Sequence, residues 1–226
     1  MFGKMLMGTR FGKINGVWFM IFCDYGIVLR SRPLRENDRI VTVFTKGHGK
    51  LEVNFKSVRR VSGKLKALSE PITWGDYRFY LRGGSNFPVC TGGATLSVFP
   101  GLRTGRDRIF MAFHFCEVIN KLTPAAQPSV EKYELLLSTL RALDERPPSV
   151  WMRFAFILRA MEFAGYGLRE TSLGLDSHFW EAMHSGSWPE VAELKEDRHA
   201  GDMLEGLINK FFSEQLGITL NTAQFL

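Results

Sequence analysis

Residues 26–55 read GIVLRSRPLRENDRIVTVFTKGHGKLEVNF. From Tyr25 onward the pattern has period two: Ile27, Leu29 and Ser31 point one way, and Val28, Arg30 and Arg32 the other, until Pro33 ends the run. Arg39–Thr45 (RIVTVFT) is a second strand, rich in β-branched residues. Lys46-Gly47-His48-Gly49-Lys50 supplies a turn with two glycines available for positive φ. Leu51, Val53 and Phe55 then alternate with Glu52, Asn54 and Lys56, so the segment predicts a β-hairpin with one buried face. Downstream, Ile72–Arg82 (ITWGDYRFYLR) alternates again, with Tyr77, Phe79 and Leu81 on one face and Arg78, Tyr80 and Arg82 on the other. Asn86–Cys90 reads as one more strand, bounded by Gly83-Gly84 and Gly92-Gly93. Five short strands with glycine turns predict a small barrel, and the five-stranded oligonucleotide-binding (OB) fold is the natural candidate.

The second half is helical. Thr104 is placed to cap a helix with Asp107 three residues on, and Pro124 stops it. Ser129 or Val130 opens a second helix through Leu143; Ser149 caps a third through Ala164, which Gly165 ends. A last helix is expected from about Gly201 to Leu216, and no clear signal covers Gly167 to Pro189. The fold class is therefore α+β, an OB barrel followed by a helical bundle. The expected boundaries are an N-terminal extension over 1–24, a barrel over 25–100 and a helical domain over 101–226. Met20 reads as an alternative start, with residues 1–19 upstream of it.

Charge divides the chain in the same way. Residues 1–110 hold nineteen Lys/Arg against seven Asp/Glu, and residues 111–226 ten against sixteen, so a net +6 hides halves of +12 and −6. Such asymmetry directs the basic half toward a polyanion. The densest cations are Lys56, Arg59, Arg60, Lys64 and Lys66, with no acidic residue between Val53 and Glu70. They read either as a phosphate clamp or as a solvated basic loop. Arg30, Arg32 and Arg39 read as a phosphate-tracking strand face, or as outward residues paired with Glu36, Asp38 or Glu52. Phe44, Trp74 and Tyr77 are core candidates. Tyr80 alternates onto the face of Arg78 and Arg82 and is the best candidate to stack on a base.

Other chemistry finds little support. Phosphate-binding loops of the form GxxxxGK[ST], HExxH and GxSxG are absent. Asp176, His178, Glu181 and His184 have spacings compatible with a metal-dependent hydrolase, or form a polar helix face. Cys23, Cys90 and Cys116 are scattered, which fits a reducing compartment and buried free thiols. Val17–Cys23 (VWFMIFC) is far shorter than the roughly 20 apolar residues of a membrane helix, and no small-residue cleavage pattern follows it.

Together these segments resemble the RecO family of bacterial recombination mediators. The likeness is carried by GIVLRSRPLRENDRIVTVFTKGHGK, by FKSVRRVSGKLKALSEP, by the helical stretch from Leu96 to Leu143, by FILRAMEFAGYGL and by QLGITLNTAQFL, in that order. In the basic segment Ser57 stands where the family commonly has Gly. The resemblance implies a non-enzymatic DNA-binding protein of DNA repair, cytoplasmic and nucleoid-associated. It would bind single- and double-stranded DNA and anneal strands. It would help load recombinase onto strands coated by single-strand-binding protein, with RecR as partner. The candidate DNA-binding set, read from charge and alternation, is Arg30, Arg32, Arg39, Lys46, Lys50, Lys56, Arg59, Arg60, Lys64, Lys66, Arg78, Tyr80 and Arg82, with no cofactor expected. Many members carry a four-Cys zinc finger after a Gly-Tyr like Gly165-Tyr166; this chain has Thr171, Ser172 and Leu173 there and no Cys beyond Cys116, so no Cys-based zinc is expected. An RNA-binding barrel is the alternative reading.

Overall fold

A computed structural model describes residues 9–14, 16–60, 63, 65–167, 176–195 and 197–225. Lys64, Thr171, Ser172 and Leu173 lie outside the described residues. Six strands, β1 (Arg10–Ile14), β2 (Val17–Pro33), β3 (Arg39–Thr45), β4 (Gly49–Phe55), β5 (Trp74–Arg82) and β6 (Val89–Ser97), form one sheet. β2 pairs with β3, β3 with β4, β4 with β6, β6 with β5, and β5 returns to β2, so five strands close on themselves. All these pairings are antiparallel except the short β4–β6 join at Asn54 and Val89. The inward residues fill the barrel: Phe22, Val28, Val41, Val43, Val53, Phe55, Tyr77 and Phe79 are all buried in one cluster. A small barrel filled by side chains, with this strand order, is the OB architecture.

Two strand boundaries and one register differ from expectation. β2 starts at Val17, so residues 17–24 belong to the sheet, and β1 pairs with Val17–Ile21. The run VWFMIFC is apolar on both faces, which hides its period-two pattern. β6 runs through Gly92-Gly93 to Ser97 instead of ending there. A Cβ on Gly93 would lie 2.3 Å from the Asp76 carbonyl oxygen, so this pair marks a close backbone approach beside a register shift, not a turn. In β2 the register shifts between Val28 and Arg30. Val28 therefore faces the core while Arg30 and Arg32 lie exposed outside, whereas strict alternation put all three on one face.

The chain packs as two units, one through Val98 together with Thr123–Tyr133, the other Phe99–Leu122 together with the residues from Glu134 on. Thr123–Tyr133 joins the barrel through the Ala126 N–H to the Lys50 carbonyl (2.9 Å) and the Trp74 indole N–H to the Tyr133 hydroxyl (3.0 Å). The second unit contains α1 (Arg106–Leu122), most of α2 (Val130–Glu145), α3 (Val150–Phe163), α4 (Ser177–Ser185), α5 (Trp188–Ala192) and α6 (Arg198–Lys210). α3 is buried on nearly every side, from Trp151 to Met161, and serves as the central helix. Phe115 of α1 packs against its Phe156 with ring centroids 4.3 Å apart and planes tilted by 36°, and Phe179 of α4 meets Trp151 edge-on at 5.0 Å. Ser149 caps α3 by accepting from the Trp151 N–H, as the sequence predicts. Thr104 does not cap α1; its hydroxyl donates to the Gly101 carbonyl inside a 3-10 turn over Pro100–Thr104.

Candidate nucleic-acid interface

The chain after β4 folds back over the connection between β2 and β3. Asp38 accepts from the Ser57 N–H (2.8 Å), and the Arg59 N–H donates to the Asn37 carbonyl (3.1 Å). Ser57 takes the left-handed conformation (φ 56) that this reversal requires. That geometry sets Arg59 beside the ends of β2 and β3. Ser31, Arg32, Pro33, Arg39, Arg59 and Glu70 line a cleft of about 290 Å³. Arg32, Arg39 and Arg59, separate in sequence, thus meet at one place. Lys56, Arg60 and Lys66 are exposed on the same returning chain.

Carboxylates moderate this cluster. Arg39 donates to Glu70 (2.7 Å) and Ser69 (3.3 Å), and Arg32 reaches Glu52 (3.4 Å), which also accepts from Thr42. The partners of Arg39 and Arg32 are thus Glu70 and Glu52; of the three carboxylates expected, only Glu52 takes part among the described residues. Both pairs are part-exposed and worth at most about 1 kcal/mol each. They orient the guanidinium groups while leaving them able to exchange partners for phosphate oxygens, which Arg binds through a planar fork. Arg30, Arg59 and Arg60 have no carboxylate partner among the described residues.

The other expected residues lie elsewhere on the barrel. Lys46 and Lys50 flank the β3–β4 turn, at the opposite end of that hairpin from Arg39. Asp24 holds the turn by accepting from the Gly47 N–H (2.9 Å) and contacting the His48 ring (2.6 Å). Gly49 has φ 73 there, and a Cβ on it would lie 2.4 Å from the Gln127 backbone. Arg78, Tyr80 and Arg82 project from β5 opposite Cys23, Ile21 and Phe19, toward the other end of β2 from Arg30 and Arg32. Phe44 and Tyr77 are fully buried, Trp74 and Tyr80 half-buried. Phe19, which packs 5.6 Å from Tyr80, was hidden from sequence reasoning by the uninterrupted apolar run around it.

Of the four candidate hydrolase residues two are engaged in structure, while His178 and Glu181 lie exposed on α4. Asp176 caps α4 by accepting from the His178 and Phe179 N–H groups, and His184 lies against Glu162 (3.2 Å) and Trp180. No group of three or more His, Cys, Asp or Glu that could hold a metal occurs among the described residues. Cys90 and Cys116 are buried, and burial raises both thiols, Cys90 to about 11 and Cys116 to about 12; Cys23 is exposed, against the expectation of buried thiols throughout. No described helix is long and apolar enough to cross a membrane.

A closed five-stranded barrel with a clustered basic edge, followed in sequence by a helical unit, defines an OB-fold protein with an appended helical domain. The model of the recombination protein O N-terminal domain matches residues 20–99, and that of its C-terminal domain matches residues 103–173. The DNA repair protein RecO of Streptomyces coelicolor is 34% identical over 154 residues, and that of Bifidobacterium animalis subsp. lactis 32% identical over 176. The match spans 65% of this chain and 62% of the Streptomyces protein, and 74% and 72% for the Bifidobacterium protein. The chain belongs to the recombination protein O family.

Proposed function

We propose that this chain is a DNA-binding mediator of recombinational repair, without catalytic activity of its own. The observation that carries the reading is the meeting of Arg32, Arg39 and Arg59 at one cleft, with Lys56, Arg60 and Lys66 exposed beside it. Cations neutralising phosphates release condensed counterions, which gives affinity without sequence preference. Two complementary strands held at a neutralised surface repel each other less, and annealing then needs no nucleotide hydrolysis. Arg30, Arg32, Arg39, Lys56, Arg59, Arg60, Lys64 and Lys66 form the main clamp in this reading. Lys46, Lys50, Arg78, Tyr80 and Arg82 contribute from other parts of the barrel. The residues from 111 on, net −6, are suited to protein partners, and RecR and single-strand-binding protein are the ones proposed.

The test is a strand-annealing assay with complementary oligonucleotides, bare and coated by single-strand-binding protein. The wild-type chain should accelerate annealing of both. Arg59→Ala with Arg60→Ala should slow it while leaving the melting temperature in place, since exposed substitutions usually change stability within about 0.5 kcal/mol. Annealing at the wild-type rate by the folded double variant would remove these two residues from the clamp.

A further inference from the structure

The outer face of β1, β2 and β5 carries a second arrangement of rings and cations, away from the arginine cleft. Residues directly opposite in antiparallel strands share a face. Phe19 lies opposite both Gly12 and Arg82, Ile21 opposite both Arg10 and Tyr80, and Cys23 opposite Arg78. Their strand neighbours Phe22, Tyr77 and Phe79 point into the core, so this face is the outer one. The Phe19 and Tyr80 rings sit side by side, with centroids 5.6 Å apart and planes 31° from parallel. Gly12 makes room for them: a Cβ there would lie 2.3 Å from the Phe19 ring. Arg10, Arg78 and Arg82 surround the pair, all exposed and none with a carboxylate partner among the described residues. The chain holds no Asp or Glu before Asp24.

Two adjoining rings on a sheet, ringed by unpaired cations, suit a polyanion that also offers flat apolar faces. A duplex hides its bases in the stack; an unpaired strand exposes them. We infer that this face is a separate seat for single-stranded DNA, in which bases stack on Tyr80 and Phe19 while Arg10, Arg78 and Arg82 take the phosphates. The inference rests on the DNA-binding reading above and adds to it a division of labour. The arginine cleft holds backbone of any form, and the β1–β2–β5 face selects unpaired bases. Strand β1, which precedes the family-matched residues 20–99, supplies Arg10 and the glycine seat beneath Phe19.

The experiment titrates the full chain against a labelled oligo-dT strand, an abasic strand of the same length and a duplex, following anisotropy. The wild type should bind oligo-dT more tightly than the abasic strand. Tyr80→Leu, which keeps apolar bulk but loses the ring, should weaken oligo-dT binding by about 5- to 150-fold, the loss of one stacked base. Binding to the abasic strand and the duplex should stay unchanged. If Tyr80→Leu does not fold, Arg10→Gln with Arg82→Gln replaces it, and should weaken both single strands while sparing the duplex. Equal affinity of the wild type for oligo-dT and abasic strands overturns the inference, as does an unchanged oligo-dT affinity in a folded variant. Tighter binding of oligo-rU than oligo-dT overturns the assignment to DNA. Loss of binding in Arg32→Ala with Arg59→Ala, together with unchanged oligo-dT affinity in folded Tyr80→Leu, leaves the mediator reading standing and sinks this one. No binding by the wild type to any of these ligands sinks both.

Discussion

Ser57 connects backbone strain to the basic surface. A non-glycine residue with φ 56 brings its Cβ close to the neighbouring carbonyl, and the hydrogen bond from its N–H to Asp38 holds it there. Ser57→Gly should raise stability by about 0.5–1 kcal/mol, the relief of left-handed strain less the added entropy of the unfolded chain. The check is the urea midpoint at constant m-value; a destabilised variant would show that the serine side chain matters more than the strain. A second residue sets the response to acid. His114 is fully buried, with Nδ1 2.8 Å from the Thr222 hydroxyl and Nε2 without a partner among the described residues. Burial first, then the Arg153 charge, lowers its pKa from 6.5 to about 4. Below pH 6.5 the unfolded chain takes up a proton that folded His114 refuses, so stability falls from there down to about pH 4. Glu117 acts with the same sign. Burial opposes its charge, but donors from Asn221 and Thr222 hold its carboxyl below the usual range, so its contribution is lost as pH falls through that depressed value. The wild type should be less stable at pH 5 than at pH 7 by roughly 2 kcal/mol from His114 alone. His114→Gln, which keeps an N–H for Thr222, should flatten that difference; an unaltered slope would move the effect elsewhere.

Elements were legible where a local signal marks them. Arg39–Thr45 and the cap at Ser149 stand where the sequence places them, because a run rich in β-branched residues in the one and a Ser before an apolar run in the other are local signals. The start of β2 and the length of β6 were not legible. An all-apolar run carries no period, and a glycine pair reads alike whether it turns a chain or admits a neighbouring backbone. The arginine cleft was legible only as composition, since the fold-back that brings Arg59 to Arg32 and Arg39 is tertiary. The stretch between α3 and α6 gave the least signal, and its anchor is a single buried cation. Arg159 of α3 donates to the carbonyls of Ala182 (3.0 Å), Met183 (2.8 Å) and Gly186 (2.7 Å), and its guanidinium lies 4.6 Å from the Trp188 ring. These are carbonyls at the C-terminal end of α4, where cations are favoured. Burial lowers its pKa, yet it stays an arginine cation with its donors directed at oxygen. Arg159→Met should cost about 2–4 kcal/mol, since the Met183 and Gly186 carbonyls lose this donor and that of Ala182 keeps only the Gly186 N–H. Hydrogen exchange should report opening of α4 and α5 before the rest; uniform loss of protection would mean that Arg159 supports the whole unit and not this corner.

At the scale of the whole molecule, net charge is a poor guide and its distribution a good one. A chain at +6 overall would bind polyanions weakly if its charge were spread evenly, but the first 110 residues carry +12 and the remainder −6. A polyanion therefore meets a surface twice as positive as the total, while the later residues repel it. The two proposed DNA surfaces lie toward opposite ends of β2, so one strand need not occupy both. Binding should consequently be steep in salt, and separable by variants. For single strands log K should fall with log salt by roughly 0.7 for each phosphate neutralised, and for duplex by about 0.9. Arg32→Ala with Arg59→Ala should weaken binding to every sequence alike, because phosphate contacts carry no base information. It should also make both slopes shallower, by about 1 for each phosphate no longer neutralised. Arg141→Ala, in the half of opposite sign, should leave the slopes in place. The measurement is anisotropy against salt for the three proteins on one strand and its duplex. A slope unchanged in the cleft variant would place the phosphates elsewhere on the barrel, and a slope lowered equally by Arg141→Ala would show that overall charge, not the cleft, governs binding.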